Sequence, residues 1–228
     1  MKSFAAAALA ALAVASSPSD DMEIQVGITA HDFTDHGCRD VVVLFARGSL
    51  EAGNLGSICG PATAQGLRGN FGAERVAVEG IEYMALLETN HFPGGADPDG
   101  VSEMKRLIAN VTGNCPGSKL LVGGYSQGAA ITHRAVESLP RSQKNKITAA
   151  FTFGDTQNEQ DHGKINNFPA QKTHIICNED DGNCGGTLVL TPAHMNYTVR
   201  VPEQVDFLMK RLAADDCQPL DLVARGPP

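Results

Sequence analysis

Apolar and polar positions fall into blocks along the chain. Asp40-Val41-Val42-Val43-Leu44-Phe45-Ala46 is an unbroken β-branched and aromatic run between Gly37 and Gly48, the pattern of a strand covered on both faces. Lys119-Leu120-Leu121-Val122-Gly123-Gly124 reads the same way, as do Ile147 to Phe153 and Thr173 to Cys177, and Arg75 to Glu82 is a further strand. Between them the period changes. Val101, Met104, Leu107, Ile108 and Val111 recur at helical spacing, Ala129, Ala130, Ile131, Ala135 and Val136 do so over Gln127 to Ser138, and helices are also predicted from Pro61 to about Asn70 and from Pro202 to Ala214. Leu188-Val189-Leu190 is strand-like.

Strands alternating with helices predict an α/β fold: a central, mostly parallel sheet with helices on both faces, a three-layer sandwich. At 228 residues, with no internal repeat and no linker-like tract, one domain is expected over 38–217. Before it, Met1-Lys2-Ser3-Phe4 and the Ala/Leu/Val run to Ala15 have the charge, length and small-residue end of a secretory signal over 1–16. Residues 17–37 are then a flexible mature N-terminal segment and 218–228 a flexible tail.

Charge and cysteine content narrow the setting. Eighteen Lys and Arg against 26 Asp and Glu leave a net charge of −8, which argues against nucleic acid as a partner and for a neutral or apolar one. No stretch after the leader is long and apolar enough to span a bilayer, so a secreted protein without stable membrane insertion is expected, with a monomer as the default. Cys38, Cys59, Cys115, Cys177, Cys184 and Cys217 are read as bridged rather than metal-binding, because the chain reads as exported and lacks the Cys-x-x-Cys or clustered-His spacing of a zinc site.

The chemistry concentrates at Gly124-Tyr125-Ser126-Gln127-Gly128, a G-x-S-x-G set between a predicted strand and a predicted helix. Such a turn is too tight for β-carbons at its glycines and lifts the serine Oγ clear of the sheet edge. Backbone N–H groups at the start of the helix, that of Gln127 first, then face the place where an oxyanion would form. A serine hydroxyl needs a base, and in this arrangement an acid and then a histidine follow it along the chain.

His194, in the turn Thr191-Pro192-Ala193 before the last helix, is the candidate base. His174 reads as a satisfied strand residue, His133 lies on the helix after the serine and points away from its Oγ, and His31, His36, His91 and His162 lie in poorer positions. For the acid, Asp155 follows one strand, while Glu179, Asp180 and Asp181 follow another inside a stretch that Cys177 and Cys184 stand close enough to close. The second location is preferred. The residue pattern leaves its three carboxylates open.

From about Cys38 to Ala213 the chain resembles the fungal cutinases, secreted serine esterases of α/β-hydrolase type. The resemblance rests on Phe45-Ala46-Arg47-Gly48-Ser49 with Gly53-Asn54-Leu55-Gly56, on Cys115-Pro116 leading to Gly123-Gly124-Tyr125-Ser126-Gln127-Gly128-Ala129-Ala130, and on Cys177-Asn178 through Asp181 and Cys184 to His194. It implies Asp181 as the acid, Ser49 joining Gln127 in an oxyanion hole, Asn90 holding Ser49, and Cys38–Cys115 and Cys177–Cys184 bridges. Leu86-Leu87 and Leu188-Val189-Leu190 become two apolar rims, and Leu87, Asn90, Tyr125, Leu188, Val189 and Leu190 are expected at the substrate. Cys59 and Cys217 pair only by elimination.

The activity expected is hydrolysis of cutin-like polyesters and short-to-medium acyl esters through Ser126, His194 and Asp181, with no metal or organic cofactor. An acetylxylan-type carbohydrate esterase is the nearest alternative, and a non-catalytic secreted surface-binding protein a more distant one. Sequons at Asn110 and Asn196 are also present.

Overall fold

A computed structural model describes residues 26–216. Five parallel strands, β1 (Val41–Ala46), β2 (Val76–Gly80), β3 (Lys119–Tyr125), β4 (Ile147–Phe153) and β5 (Thr173–Ile176), form one sheet in the order β2-β1-β3-β4-β5. The longer helices are α2 (Gly60–Phe71), α3 (Pro98–Asn114), α4 (Gln127–Glu137) and α6 (Val201–Asp216), with short α1 (Asp32–His36) and α5 (Arg141–Lys144). β1 shows why two layers of helix are needed. Val42, Leu44 and Ala46 enter a core with α3 and α4, and Val41, Val43 and Phe45 enter a second core with α2 and α6, because successive strand side chains point to opposite faces.

The strand order reverses direction between β1 and β3. β2 was laid on one side of β1 and the chain then crossed over to place β3 on the other, so the loops leaving the carboxyl ends of β1 and β3 diverge and open a crevice, where ligands of open α/β sheets bind. Ala46, the last residue of β1, stands beside Gly124, the last but one of β3, in the ladder.

Three expectations change. Residues 26–37 are packed rather than flexible: Phe33 is buried, Ile28 and Ala30 accept hydrogen bonds from Leu55 and Gly80, and His31 bridges to Glu79 on edge strand β2. Asp32 accepts from the Val78 backbone N–H and pairs with Arg68, so this segment covers an otherwise open sheet edge. Leu188 to Leu190 form an exposed loop instead of a strand, since they run past the sheet end with no ladder partner.

The third concerns Cys59, a buried free thiol. α2 and α6 run side by side with Gly66 against Val205, and Thr198 donates to the Ile58 carbonyl at 2.9 Å. Cys59 therefore sits near the amino end of α6, enclosed in the core that α2 and α6 share, as an unpaired thiol rather than a bridged one. Cys217, like the proposed leader over 1–16 and the tail 218–228, lies outside the described residues. The other two bridges are present, Cys38–Cys115 and Cys177–Cys184.

Candidate active site

Ser126 occupies the sharp turn between β3 and α4 with φ 57° and ψ −118°, a left-handed backbone that a residue with a β-carbon adopts only under constraint. The constraint is visible. Ser126 N–H donates to the Phe153 carbonyl at 3.0 Å, and the glycines at 124 and 128 meet so closely that a β-carbon on Gly124 would lie 2.2 Å from the Gly128 oxygen.

The loop after β5 and the loop before α6 supply the other two groups. His194 Nε2 is 2.9 Å from Ser126 Oγ, and Nδ1 is 2.9 Å from Asp181 Oδ2. With the imidazole neutral, Ser126 donates to Nε2 and Nδ1–H donates to the carboxylate, a geometry in which the ring can take the serine proton as the oxygen attacks a carbonyl. All three residues are buried, and Asp181 is the carboxylate that the spacing left unresolved against Glu179 and Asp180, both exposed.

Burial works against the Asp181 charge, but hydrogen bonds from His194 and Tyr197, with one from the Asn183 backbone N–H at 3.0 Å, outweigh it and hold the carboxyl below its usual range. The rejected alternative, Asp155, is engaged elsewhere. It accepts from His133 Nε2 at 2.7 Å, and His133 Nδ1 bonds Asp161 at the same distance. His174 stacks on Phe207, away from Ser126.

Across the crevice, Ser49 follows β1, and Asn90 Nδ2 donates to its Oγ at 2.8 Å. Accepting that bond leaves the Ser49 hydroxyl proton free to point toward the cleft. Gln127 begins α4, and its side-chain amide donates to the Leu86 carbonyl at 2.9 Å and to Thr89 Oγ1 at 2.7 Å, tying the Leu86 to Asn90 segment to the Ser126 turn. Glu51, which the sequence reading missed, organises the loop carrying Ser49. Its carboxylate accepts backbone N–H groups of Gly48, Ser57 and Ile58 at 2.7, 2.8 and 2.9 Å. A lone acid in a stretch of Gly, Asn and Ser was the available signal.

The cleft is about 480 Å³, and Ser49, Ser126 and His194 open into it. Of the residues expected at the substrate, Leu87, Asn90, Leu188 and Leu190 line the cleft, joined by Leu50 and Met195, which were not anticipated. Leu50 is 73% exposed at its mouth, with φ 64° and its N–H bonded to Ala85. Val189 does not line the cleft: its carbonyl accepts from Asn183 Nδ2 at 3.1 Å and its side chain faces outward. Tyr125 touches the cleft but is buried. Its ring stacks on His194, and its hydroxyl donates to the His194 carbonyl at 2.8 Å, so it holds the imidazole from below.

Among the described residues no cluster of His, Cys, Asp or Glu is arranged to hold a metal ion, and no helix is long and apolar enough to cross a membrane. Of the two sequons, Asn196 is exposed beside Met195, whereas Asn110 is half-buried on α3 and accepts from Asn114.

The sequence model of the cutinase family matches residues 37–212. The chain belongs to the cutinase family. Cutinase CUT2 of Pyricularia oryzae is 47% identical over 210 residues, spanning 92% of this chain and 98% of that protein, and Cutinase 1 of Fusarium vanettenii is 37% identical over 217 residues, spanning 91% and 94%. Among solved structures, a Trichoderma reesei cutinase in complex with a phosphonate inhibitor superposes with a TM-score of 0.73 at 32% identity, covering 82% of this chain and 80% of that one. An acetyl xylan esterase at 18% identity, with a TM-score of 0.62 over 77% and 99% of the two chains, shares the fold. As a cutinase the chain is a serine carboxylic ester hydrolase of the α/β-hydrolase class, acting on ester or polyester substrates.

Proposed function

We propose that Ser126, His194 and Asp181 are the catalytic triad of this cutinase, that Ser49 and Gln127 form its oxyanion hole, and that it cleaves lipid polyesters and short-to-medium acyl esters outside the cell as a monomer. The observation that carries the reading is the unbroken chain from Ser126 Oγ through His194 to Asp181 Oδ2, opening into a cleft with leucines on both sides.

His194 takes the Ser126 proton as Oγ attacks the ester carbonyl, and the charge that develops on the carbonyl oxygen is met by the Gln127 N–H and the Ser49 hydroxyl and N–H. His194 then protonates the leaving alcohol. Water, deprotonated by the same imidazole, releases the acid from the acyl-enzyme. Asp181 fixes the imidazole tautomer and offsets its positive charge. Leu87 on one side and Leu188 with Leu190 on the other, all exposed, offer an apolar channel to an acyl chain, and a sugar backbone would gain little from them.

The test is the rate of p-nitrophenyl ester hydrolysis from acetyl to palmitoyl, with Ser126→Ala as the blank. A maximum near butyryl, and loss of roughly 10⁶-fold in kcat in the variant, is expected. Activity confined to acetyl esters would favour a carbohydrate esterase, and Ser126-independent turnover would remove the proposed nucleophile.

A further inference from the structure

Tyr197 is fully buried behind the base, its ring edge-on to His194, and its hydroxyl donates to Asp181 Oδ2 at 2.6 Å. This is the same carboxylate oxygen that His194 Nδ1 uses at 2.9 Å. The hydroxyl in turn accepts the Asn178 backbone N–H at 2.8 Å, which polarises it as a donor. Asn178 also ties the acid loop to the base loop, its side-chain amide donating to the Ala193 carbonyl at 2.8 Å and the Asn196 carbonyl at 3.2 Å.

We propose that Tyr197 is a positioning residue that sets how strongly Asp181 draws on the His194 imidazole, through the hydroxyl it gives to the oxygen that His194 also uses. The inference rests on the triad proposed above. Each donor on a carboxylate oxygen disperses its charge, and a carboxylate so engaged stabilises an adjacent imidazolium less. With Tyr197 in place His194 stays neutral, and therefore competent as a base, to lower pH. The hydroxyl also fixes the rotation of the carboxylate, because Asn183 holds Oδ1 while Tyr197 holds Oδ2.

The groups around Tyr197 leave it as the adjustable donor. Tyr125 at the end of β3 and Cys59 at the start of α2 are both pushed up by burial and so remain uncharged around neutrality. Glu51, beyond them, has its carboxylate bound to three backbone N–H groups. Arg200 is bonded to Asn178 Oδ1 rather than to the phenol. Burial, with the bond to Asp181, raises Tyr197 as well, so its proton stays on the oxygen and remains available to donate.

The experiment is kcat/KM against pH for p-nitrophenyl butyrate with wild type, Tyr197→Phe, and protein carrying 3-fluorotyrosine at 197. Tyr197→Phe is expected to move the acid limb upward by ~0.5 pH unit or more, with the plateau within about tenfold of wild type. Fluorotyrosine keeps ring and hydroxyl, so its folding is preserved even if the Phe variant fails to fold, and as a stronger donor it is expected to move the limb downward. Acid limbs that coincide in wild type and in whichever variants fold, even over a lowered plateau, would reduce Tyr197 to packing and overturn the proposal. Ser126→Ala and Asp181→Asn run alongside separate the two readings. If they retain activity the triad itself falls and this inference with it, whereas inactive controls with unmoved limbs reject the role of Tyr197 alone.

Discussion

Gly128 packs against Ala46 so tightly that a β-carbon on the glycine would lie 2.0 Å from the Ala46 carbonyl oxygen. This contact joins the first turn of α4 to the end of β1, and so sets the gap between the two loops that carry Gln127 and Ser49. The obstacle is backbone on both sides and cannot rotate away. Gly128→Ala should therefore cost about 3 kcal/mol of stability, read as a fall in urea midpoint at constant m. Any folded fraction should show a lower kcat because the Gln127 N–H is displaced. A variant of wild-type stability would mean that the turn is softer than its packing implies.

The Asn90 to Ser49 bond gives the second expectation. Asn90 Nδ2 donates to Ser49 Oγ at 2.8 Å and so directs the hydroxyl proton toward the cleft. Ser49→Ala removes a donor from the proposed oxyanion hole and should lower kcat by about 10²-fold or more with little change in KM. Asn90→Leu leaves the hydroxyl in place but unaimed, and the loss should be smaller, about tenfold. A raised KM with kcat unchanged for Ser49→Ala would point to ground-state binding instead.

Much of this site was legible in the residue pattern, for identifiable reasons. Buried parallel strands leave continuous apolar runs, so β1, β3 and β4 emerge within a residue or so of their observed ends, and the glycines at 124 and 128 announce a backbone contact that only glycine permits. What periodicity could not supply were relationships made across loops. The choice of Asp181 among three neighbouring acids depends on which carboxylate folds inward, and it came from family resemblance. Tyr197 acts through bonds to a loop 16 and 19 residues away, which no local pattern records, and Glu51 matters only because its own loop folds back around its carboxylate. Pairing Cys59 with Cys217 by elimination failed because Cys59 is packed as a free thiol in the core between α2 and α6, a burial that counting cysteines does not record. α3 begins at Pro98 rather than Val101, with Asp97 capping the N–H groups of Asp99 and Gly100, a signal masked by the surrounding glycines and prolines.

His133 carries a prediction about pH. It is fully buried between Asp155 and Asp161, with Arg134 also on Asp161. Burial works against its charge, but the two carboxylates prevail and lift it to about 9. Because the folded value exceeds the unfolded one, the stabilisation is fully present below about pH 6.5 and is lost as pH rises through about 9, a change on the order of 3 kcal/mol. Asp161, held below its usual value, adds the opposite edge: burial opposes its charge, but His133 and Arg134 outweigh that, so its contribution is lost only in strong acid. Urea unfolding of wild type and His133→Gln should show a gap that is widest below about pH 6.5, narrows as pH rises toward 9 and is small above it. A gap independent of pH would mean that His133 is neutral in the fold.

The two disulfides should separate stability from activity. Cys38–Cys115 spans 77 residues and ties the amino ends of β1 and β3, at the far side of the sheet from the cleft. Cys177–Cys184 spans 7 and closes the loop around Asp181. Chain entropy assigns about 4.5 kcal/mol to the first bridge and about 2.5 kcal/mol to the second. Replacing both cysteines of the first by serine should lower the unfolding midpoint more, yet leave kcat of the folded protein near wild type. Replacing those of the second should cost less stability and more activity, because Asp181 no longer stands fixed behind His194. Residual activity would then be read at a temperature where both variants are folded. If the 38–115 variant lost kcat as severely as the 177–184 variant, the acid loop would not owe its order to its own bridge.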